Sequence, residues 1–221
     1  MSKYILEIDS IIKNFNSKNI LSDIYLKCET GEIIGILGRN GSGKTTLMKI
    51  IYGIESCENK FIKINSDVLN TNKKTFKNFS YLSQENFIPR NFYVSKAIQL
   101  SIDDSLIQEF YEDESVLSFK NKKIHELSTG ELRYLEVKII LYNNSRFCLL
   151  DEPFSALSPI MIDKISKMIT YHSKKKGILI TDHNYKEIIK ISSKIILLKN
   201  GKSIPIKDLT DLVTYNYLLD I

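Results

Sequence analysis

Gly38-x-x-x-x-Gly43-Lys44-Thr45 is the feature that leaves this chain the fewest folding choices. It follows directly on the continuously apolar run Ile33-Ile34-Gly35-Ile36-Leu37, and Leu47, Ile50, Ile51 and Ile54 come after it at helical spacing. That order predicts a central strand covered on both faces, a glycine loop and a helix. Glycines at these positions let backbone N–H groups curl around phosphate oxygens, and the helix points its positive N-terminus at them. Lys44 is placed to reach β- and γ-phosphates, and the Thr45 hydroxyl to ligate Mg²⁺. The loop Gly38, Arg39, Asn40, Gly41, Ser42, Gly43, Lys44, Thr45 and Thr46 is therefore the candidate phosphate site. At average residue usage the pattern arises by chance in on the order of one chain in a hundred.

Two further apolar runs end on polar residues: Phe147-Cys148-Leu149-Leu150 on Asp151-Glu152, and Gly177-Ile178-Leu179-Ile180-Thr181 on Asp182-His183. Polar groups collected at strand ends are what an open α/β sheet predicts, because its ligands sit beyond the carboxyl ends of the strands. Asp151 is placed to hold Mg²⁺ and Glu152 to accept the proton of an attacking water. Tyr4 to Phe15 and Ile24 to Cys28 read as half-buried strands, and Asn200-Gly201 as the turn of a hairpin between Lys194–Lys199 and Ser203–Ile206. From Glu85 to Glu126 the strand pattern gives way to helical spacing, in Val94, Ala97, Ile98 and again in Leu106, Ile107, Phe110. Ser128 with Glu131 three residues later is a capping box, opening a helix whose Leu132, Leu135, Ile139 and Ile140 face a core. Leu209, Leu212 and Val213 suit one final helix within the short segment from Asp208 to Ile221, with no appended sensing domain expected.

Composition narrows the partners. With 221 residues, 43% apolar and 26% charged, the chain suits one globular domain rather than two. No apolar run approaches the roughly 18 residues that a spanning helix needs. The acids in Met-Ser-Lys-Tyr-Ile-Leu-Glu-Ile-Asp argue against an export signal. Three scattered cysteines, Cys28, Cys57 and Cys148, suggest neither disulfides nor a zinc knuckle and fit a reducing cytoplasm. The net charge of +5 is mild, and the clusters Lys73-Lys74, Lys122-Lys123 and Lys174-Lys175-Lys176 read as solvated loops, so no nucleic-acid partner is expected.

Leu127-Ser128-Thr129-Gly130-Glu131, a short way before the strand ending in Asp151, resembles the signature sequence of the ATP-binding cassette (ABC) ATPases, with Thr129 where glycine is commoner. The resemblance runs from Phe15 to about Asn200. It implies a P-loop NTPase of the ABC ATPase type: a RecA-like mixed-sheet core over residues 1–84 and 141–221, an N-terminal antiparallel β subdomain, and a helical subdomain inserted at 85–140. By resemblance Phe15 stacks on adenine, although a lone aromatic after a strand equally suits a core. Gln84 matches the glutamine that reaches Mg²⁺ and the water, and His183 the switch histidine at the γ-phosphate. Ser128 and Gly130 match the helix start that closes over ATP held by a partner subunit. Ser155-Ala156-Leu157-Ser158 matches the D-loop, with Ser158 where aspartate is usual, so either asymmetric partnership or altered communication between two sites is implied.

The resemblance implies the cofactors ATP and Mg²⁺, a second nucleotide-binding subunit, and integral-membrane permease subunits docked on the helical subdomain at the inner face of the cell membrane. Leu149 to Phe154 with Pro159-Ile160, and Ile180 to Asn184 with Glu187, look like the lipopolysaccharide-export ATPases and their branched-chain amino-acid relatives. Two other readings stand: a soluble ATP-gated module of the iron–sulfur-assembly type, and a structural subunit that turns over poorly, against which Glu152 and His183 both speak.

Overall fold

The computed structural model describes residues 3–16, 18–69 and 77–219. The chain first forms β1 (Ile5–Phe15), β2 (Lys18–Leu21), β3 (Leu26–Glu29), β4 (Ile33–Leu37), α1 (Lys44–Tyr52), β5 (Asn59–Ile64), β6 (Asp67–Val68) and β7 (Phe79–Leu82). Three helices follow, α2 (Val94–Ser101), α3 (Ile107–Tyr111) and α4 (Glu114–Phe119), and then the longer α5 (Thr129–Tyr142). The last third runs through β8 (Phe147–Asp151), α6 (Pro159–Ser173), β9 (Gly177–Thr181), α7 (Tyr185–Ile191), β10 (Lys194–Lys199), β11 (Lys202–Ile206) and α8 (Thr210–Thr214).

The larger sheet has the order β11-β10-β4-β9-β8-β7 and is parallel except for the β10–β11 hairpin. The smaller sheet, β2-β1-β5-β6 with β3 on β1, is antiparallel. The unbroken apolar runs are explained by two cores. Ile34 and Ile36 of β4, with Phe147 and Leu149 of β8, face α1 and the small sheet. Ile33 and Leu37, with Cys148 and Leu150, face α5 and α6. Each such side chain contributes about 1.5–3 kcal/mol on burial, which leaves neither face of these strands open to a polar residue.

The sequence expectations are met in the strand before the glycine loop and the helix after it, and Asn200 and Gly201 both take the left-handed backbone (φ 51 and 76) that a two-residue hairpin turn requires. β5 was not expected, although its alternation is visible: Ile62 and Ile64 are buried and Phe61 is exposed. One expectation is corrected. Lys174 and Lys175 are exposed, but Lys176 is buried, its ammonium donating to the carbonyls of Leu141 (2.8 Å) and Asn143 (2.6 Å) at the C-terminal end of α5. A helix end leaves carbonyls without partners, and the lysine satisfies two of them. Lys73-Lys74 lies outside the described residues.

Between β7 and α5 the chain carries α2, α3 and α4 and a single bridge, Tyr93 to Lys123. Val94, Ile98, Phe110 and Phe119 join the core beneath α5. Lys138 of α5 donates to the Phe110 carbonyl (2.8 Å) and the Asp113 carboxylate (2.9 Å), to which Tyr134 also donates (2.6 Å). Helix α5 thus spans the helical stretch and the strands.

Candidate functional site

The site is built where β4 runs into α1. Gly43 sits at the N-cap of α1 with φ 98, a conformation that favours glycine, and no side chain caps the helix there. A side chain at Gly38 would bring its Cβ to 2.8 Å from the Leu198 carbonyl oxygen. The first turn of α1 carries no acid, so the loop and helix end form an uncapped positive concavity suited to an anion. Lys44 is largely buried and donates to the Gly38 carbonyl at 2.7 Å, so its ammonium is held across the loop. Burial pushes its pKa below the ordinary lysine range.

Around this loop lies a cleft of about 360 Å³, lined among others by Phe15, Lys44, Thr45, Gln84, Glu152 and His183. A neighbouring cavity of about 420 Å³ lies against Arg39, Lys199 and Tyr215 to Tyr217; Lys44, Thr45, Gln84, Glu152 and His183 line the first and none of them the second. The chemistry therefore belongs to the first. At its edge β8 delivers Asp151, whose carboxylate accepts from the Thr45 hydroxyl (3.2 Å) and from the Tyr81 hydroxyl (3.3 Å). Burial pushes the Asp151 carboxyl up. Gln84 donates to Thr45 Oγ1 (3.1 Å) and to Glu152 Oε1 (2.7 Å), and His183 Nε2 stands 3.0 Å from that same oxygen.

Phe15 is half exposed at the rim, with the Lys13 ammonium 4.6 Å from its ring centre. Lys13 is itself buried and paired with Glu55 at 2.7 Å, so the ring rests on a fixed cation. Of the loop residues, Asn40, Gly41, Ser42, Gly43, Lys44, Thr45 and Thr46 line the cleft. The Arg39 side chain turns away and donates to the Asn216 carbonyl at 2.8 Å. Ser128 and Gly130 do not line the cleft. They stand at the start of α5, where Ser128 Oγ accepts from Glu131 N (3.2 Å) and Glu131 accepts from Ser128 N (2.8 Å), the capping box expected from the sequence. Ser158 caps α6, its hydroxyl accepting from Met161 N at 3.4 Å.

Three residues of the site have partners that a sequence reading does not give. Tyr81 bonds Asp151 from the middle of a strand. Asp182 accepts from the N–H of Phe154 (2.8 Å) and of Asn184 (2.9 Å), joining the turn after Glu152 to the turn that carries His183. Arg133, inside α5, reaches the backbone on both sides of the cleft. Strand position and helix spacing give no signal for Tyr81 and Arg133; Asp182 has one, its place directly after the apolar run that ends at Thr181.

The donor set fits a nucleotide with its divalent cation. Thr45 and Asp151 offer a hydroxyl and a carboxylate oxygen at one edge, the hard ligands Mg²⁺ takes in small number alongside phosphates, while Gln84 turns its amide nitrogen to that edge and would offer its oxygen only after the amide turns over. Among the described residues no cluster of three His, Cys, Asp or Glu offers a metal cage made of protein alone.

A phosphate loop after a central strand, with adjacent acids ending a parallel strand one place removed in the same sheet, defines a nucleoside triphosphatase domain. The family model described as "ABC transporter" matches residues 21–155, and the chain belongs to that family. It is 30% identical over 218 residues to the lipopolysaccharide export system ATP-binding protein LptB of Haemophilus influenzae, covering 90% of this chain and 89% of that one. To LptB of Escherichia coli K12 it is 30% identical over 210 residues, covering 89% and 87%. Its fold matches the ATP-binding subunit of an ABC transporter with a TM-score of 0.84 at 19% identity, over 97% of this chain and 94% of that one. It also matches a bacterial Atm1-family ABC exporter with ATP bound, with a TM-score of 0.85 at 16% identity, over 97% and 41%. The fold is thus that of the ABC ATPases, and the chain is an ATP-binding, ATP-hydrolysing subunit of a membrane transporter. Among the described residues no helix is long and apolar enough to cross a membrane.

Proposed function

We propose that two nucleotide-binding chains sandwich two ATP molecules, each held by the loop of one chain and the Ser128–Gly130 helix start of the other, and that hydrolysis reopens the pair. The observation that carries the reading is the meeting of Gln84, Glu152 and His183 at one carboxylate oxygen, in the cleft that Lys44 and Thr45 line. Phe15 stacks on the adenine. The loop N–H groups and Lys44 hold the phosphates and stabilise the negative charge that spreads over the transferred phosphoryl group. Glu152 accepts a proton from the attacking water as the new P–O bond forms and the bond to the leaving ADP oxygen breaks. Gln84 and His183 orient that water. Thr45 and Asp151 would hold Mg²⁺, with Gln84 joining them once its amide turns over, and the ion would supply further charge neutralisation.

We infer a core of residues 1–84 and 141–221 with a helical subdomain at 85–140. That subdomain docks on permease subunits, which place the chain peripherally on the inner face of the cell membrane. The likeness to the LptB proteins supports a lipopolysaccharide-export type of system, with the branched-chain amino-acid type as the alternative, and the relatives' transporter descriptions favour transport over a soluble iron–sulfur-assembly module. Detergent extraction of the native host, affinity capture of this chain and mass spectrometry of its partners test the reading. A polytopic membrane protein in stoichiometric amount is expected, and soluble scaffold proteins alone would overturn it.

A further inference from the structure

Helix α5 hides two charged residues one turn apart: Arg133 is 4% exposed and Glu136 is 0% exposed. Buried charges need partners, and these find them on two loops of the cleft rather than chiefly on each other, since their closest approach is 3.7 Å. Arg133 Nη1 donates to the Ser83 carbonyl at 2.7 Å, and Nη2 donates to the carbonyls of Asp151 (2.7 Å) and Glu152 (2.9 Å). Glu136 Oε1 accepts from the backbone N–H of Phe87 at 2.9 Å. One helical turn therefore grips the chain on both sides of Gln84 and the backbone of both acids.

The grip falls on a strained point. Glu152 takes a left-handed backbone with φ 55, which a residue with a side chain adopts only where its surroundings impose it. Its N–H donates to the Thr181 carbonyl at 2.7 Å, and its own carbonyl is held by Arg133. That conformation turns the carboxylate towards Gln84 and His183.

We propose that Arg133, with Glu136 as its second anchor, is a positioning residue that makes the aim of the Glu152 carboxylate and the Gln84 amide depend on where α5 sits. The same helix begins at Ser128 and Gly130, so contact made at its start reaches the acid through one rigid turn. The inference rests on Glu152 being the proton acceptor. An arginine is required because its planar fork serves three carbonyls at once, whereas a lysine offers one point charge.

The test uses the full chain and follows ATP hydrolysis, affinity for a fluorescent ATP analogue and melting temperature. Arg133→Lys keeps the charge and loses the fork; kcat falls about 10- to 100-fold, while ATP affinity stays within threefold. In a Glu152→Gln background the same change slows turnover less than threefold, the residue acting through Gln84 alone once the carboxylate is removed. Glu136→Gln, which keeps an acceptor for Phe87 and drops the charge, provides a second variant if the first melts too low, with kcat down about three- to tenfold at unchanged affinity. Wild-type kcat in the folded variants, or loss of affinity in step with kcat, overturns the proposal while leaving Glu152 in its role. Wild-type turnover by Glu152→Gln alone overturns both.

Discussion

Gln84 donates its side-chain amide to Glu152 Oε1 at 2.7 Å, the same oxygen that lies 3.0 Å from His183 Nε2. Two side chains from separate loops thus hold one carboxylate at the mouth of the phosphate cleft. On the proposed reading the loop and Lys44 bind the phosphates, and these two side chains act on the water. Gln84→Ala and His183→Ala are each expected to lower kcat for ATP about 10- to 1000-fold with KM changed less than threefold, the pattern of interactions made in the transition state. A rise in KM at unchanged kcat would place them in ground-state binding instead.

Phe15 and Lys13 make the opposite prediction. The ring is exposed at the rim and backed by a buried lysine ammonium, so it is a platform already in place. Phe15→Ala should weaken ATP binding about tenfold and leave kcat nearly unchanged, since stacking on a base contributes about 1–3 kcal/mol. Phe15→Tyr should bind like the wild type. Titration with a fluorescent ATP analogue reads both.

Ser158 stands where the cassette resemblance implies an aspartate; its hydroxyl caps α6 and Pro159 follows at the first helical position. Serine and aspartate are comparable caps, so what the substitution changes is charge. Ser158→Ala should cost about 1 kcal/mol of stability, and Ser158→Asp should change it by no more than a few tenths. Denaturant unfolding measures both; a Ser158→Ala variant as stable as the parent would remove the cap from the account.

His172 sets a pH limit on stability. It is 6% exposed, packed against Tyr142 with ring centres 4.7 Å apart, and burial with help from Lys176, Lys175 and Lys138 lowers its pKa from 6.5 to about 4. The unfolded chain therefore binds a proton between pH 6.5 and 4 that the folded chain refuses. Stability is fully present above pH 6.5, falls as pH drops through that window, and the loss levels off below pH 4, at about 3 kcal/mol in all. His172→Phe should flatten that part of the stability–pH curve. An unchanged acid slope in the variant would assign it to other groups.

Much of this was legible in the sequence because backbone requirements write themselves in residue types. Gly43 and Gly201 need positive φ, Ser128 with Glu131 closes a capping box, and β4, β8 and β9 are apolar on both faces because two cores flank them. Helix α5 was legible only in part. Leu135 and Ile139 point inward as their spacing predicts, but so do Arg133, Glu136 and Lys138, which a pattern of apolar positions assigns to solvent. Their burial depends on carbonyls and an aspartate from distant loops, and no local spacing encodes such partners. Asp182 is hidden for the same reason: its bonds to Phe154 and Asn184 exist only once β8 and β9 lie side by side.

The central claim is that two chains close over ATP and that Glu152 is needed only to hydrolyse it. The most direct measurement is the solution mass of purified Glu152→Gln, by light scattering, with and without Mg²⁺ and ATP, alongside its hydrolysis rate. The account predicts a monomer without nucleotide, a stable dimer with it, and hydrolysis lowered at least 100-fold. A variant that binds ATP yet stays monomeric, or one that hydrolyses it at the parental rate, would contradict the account.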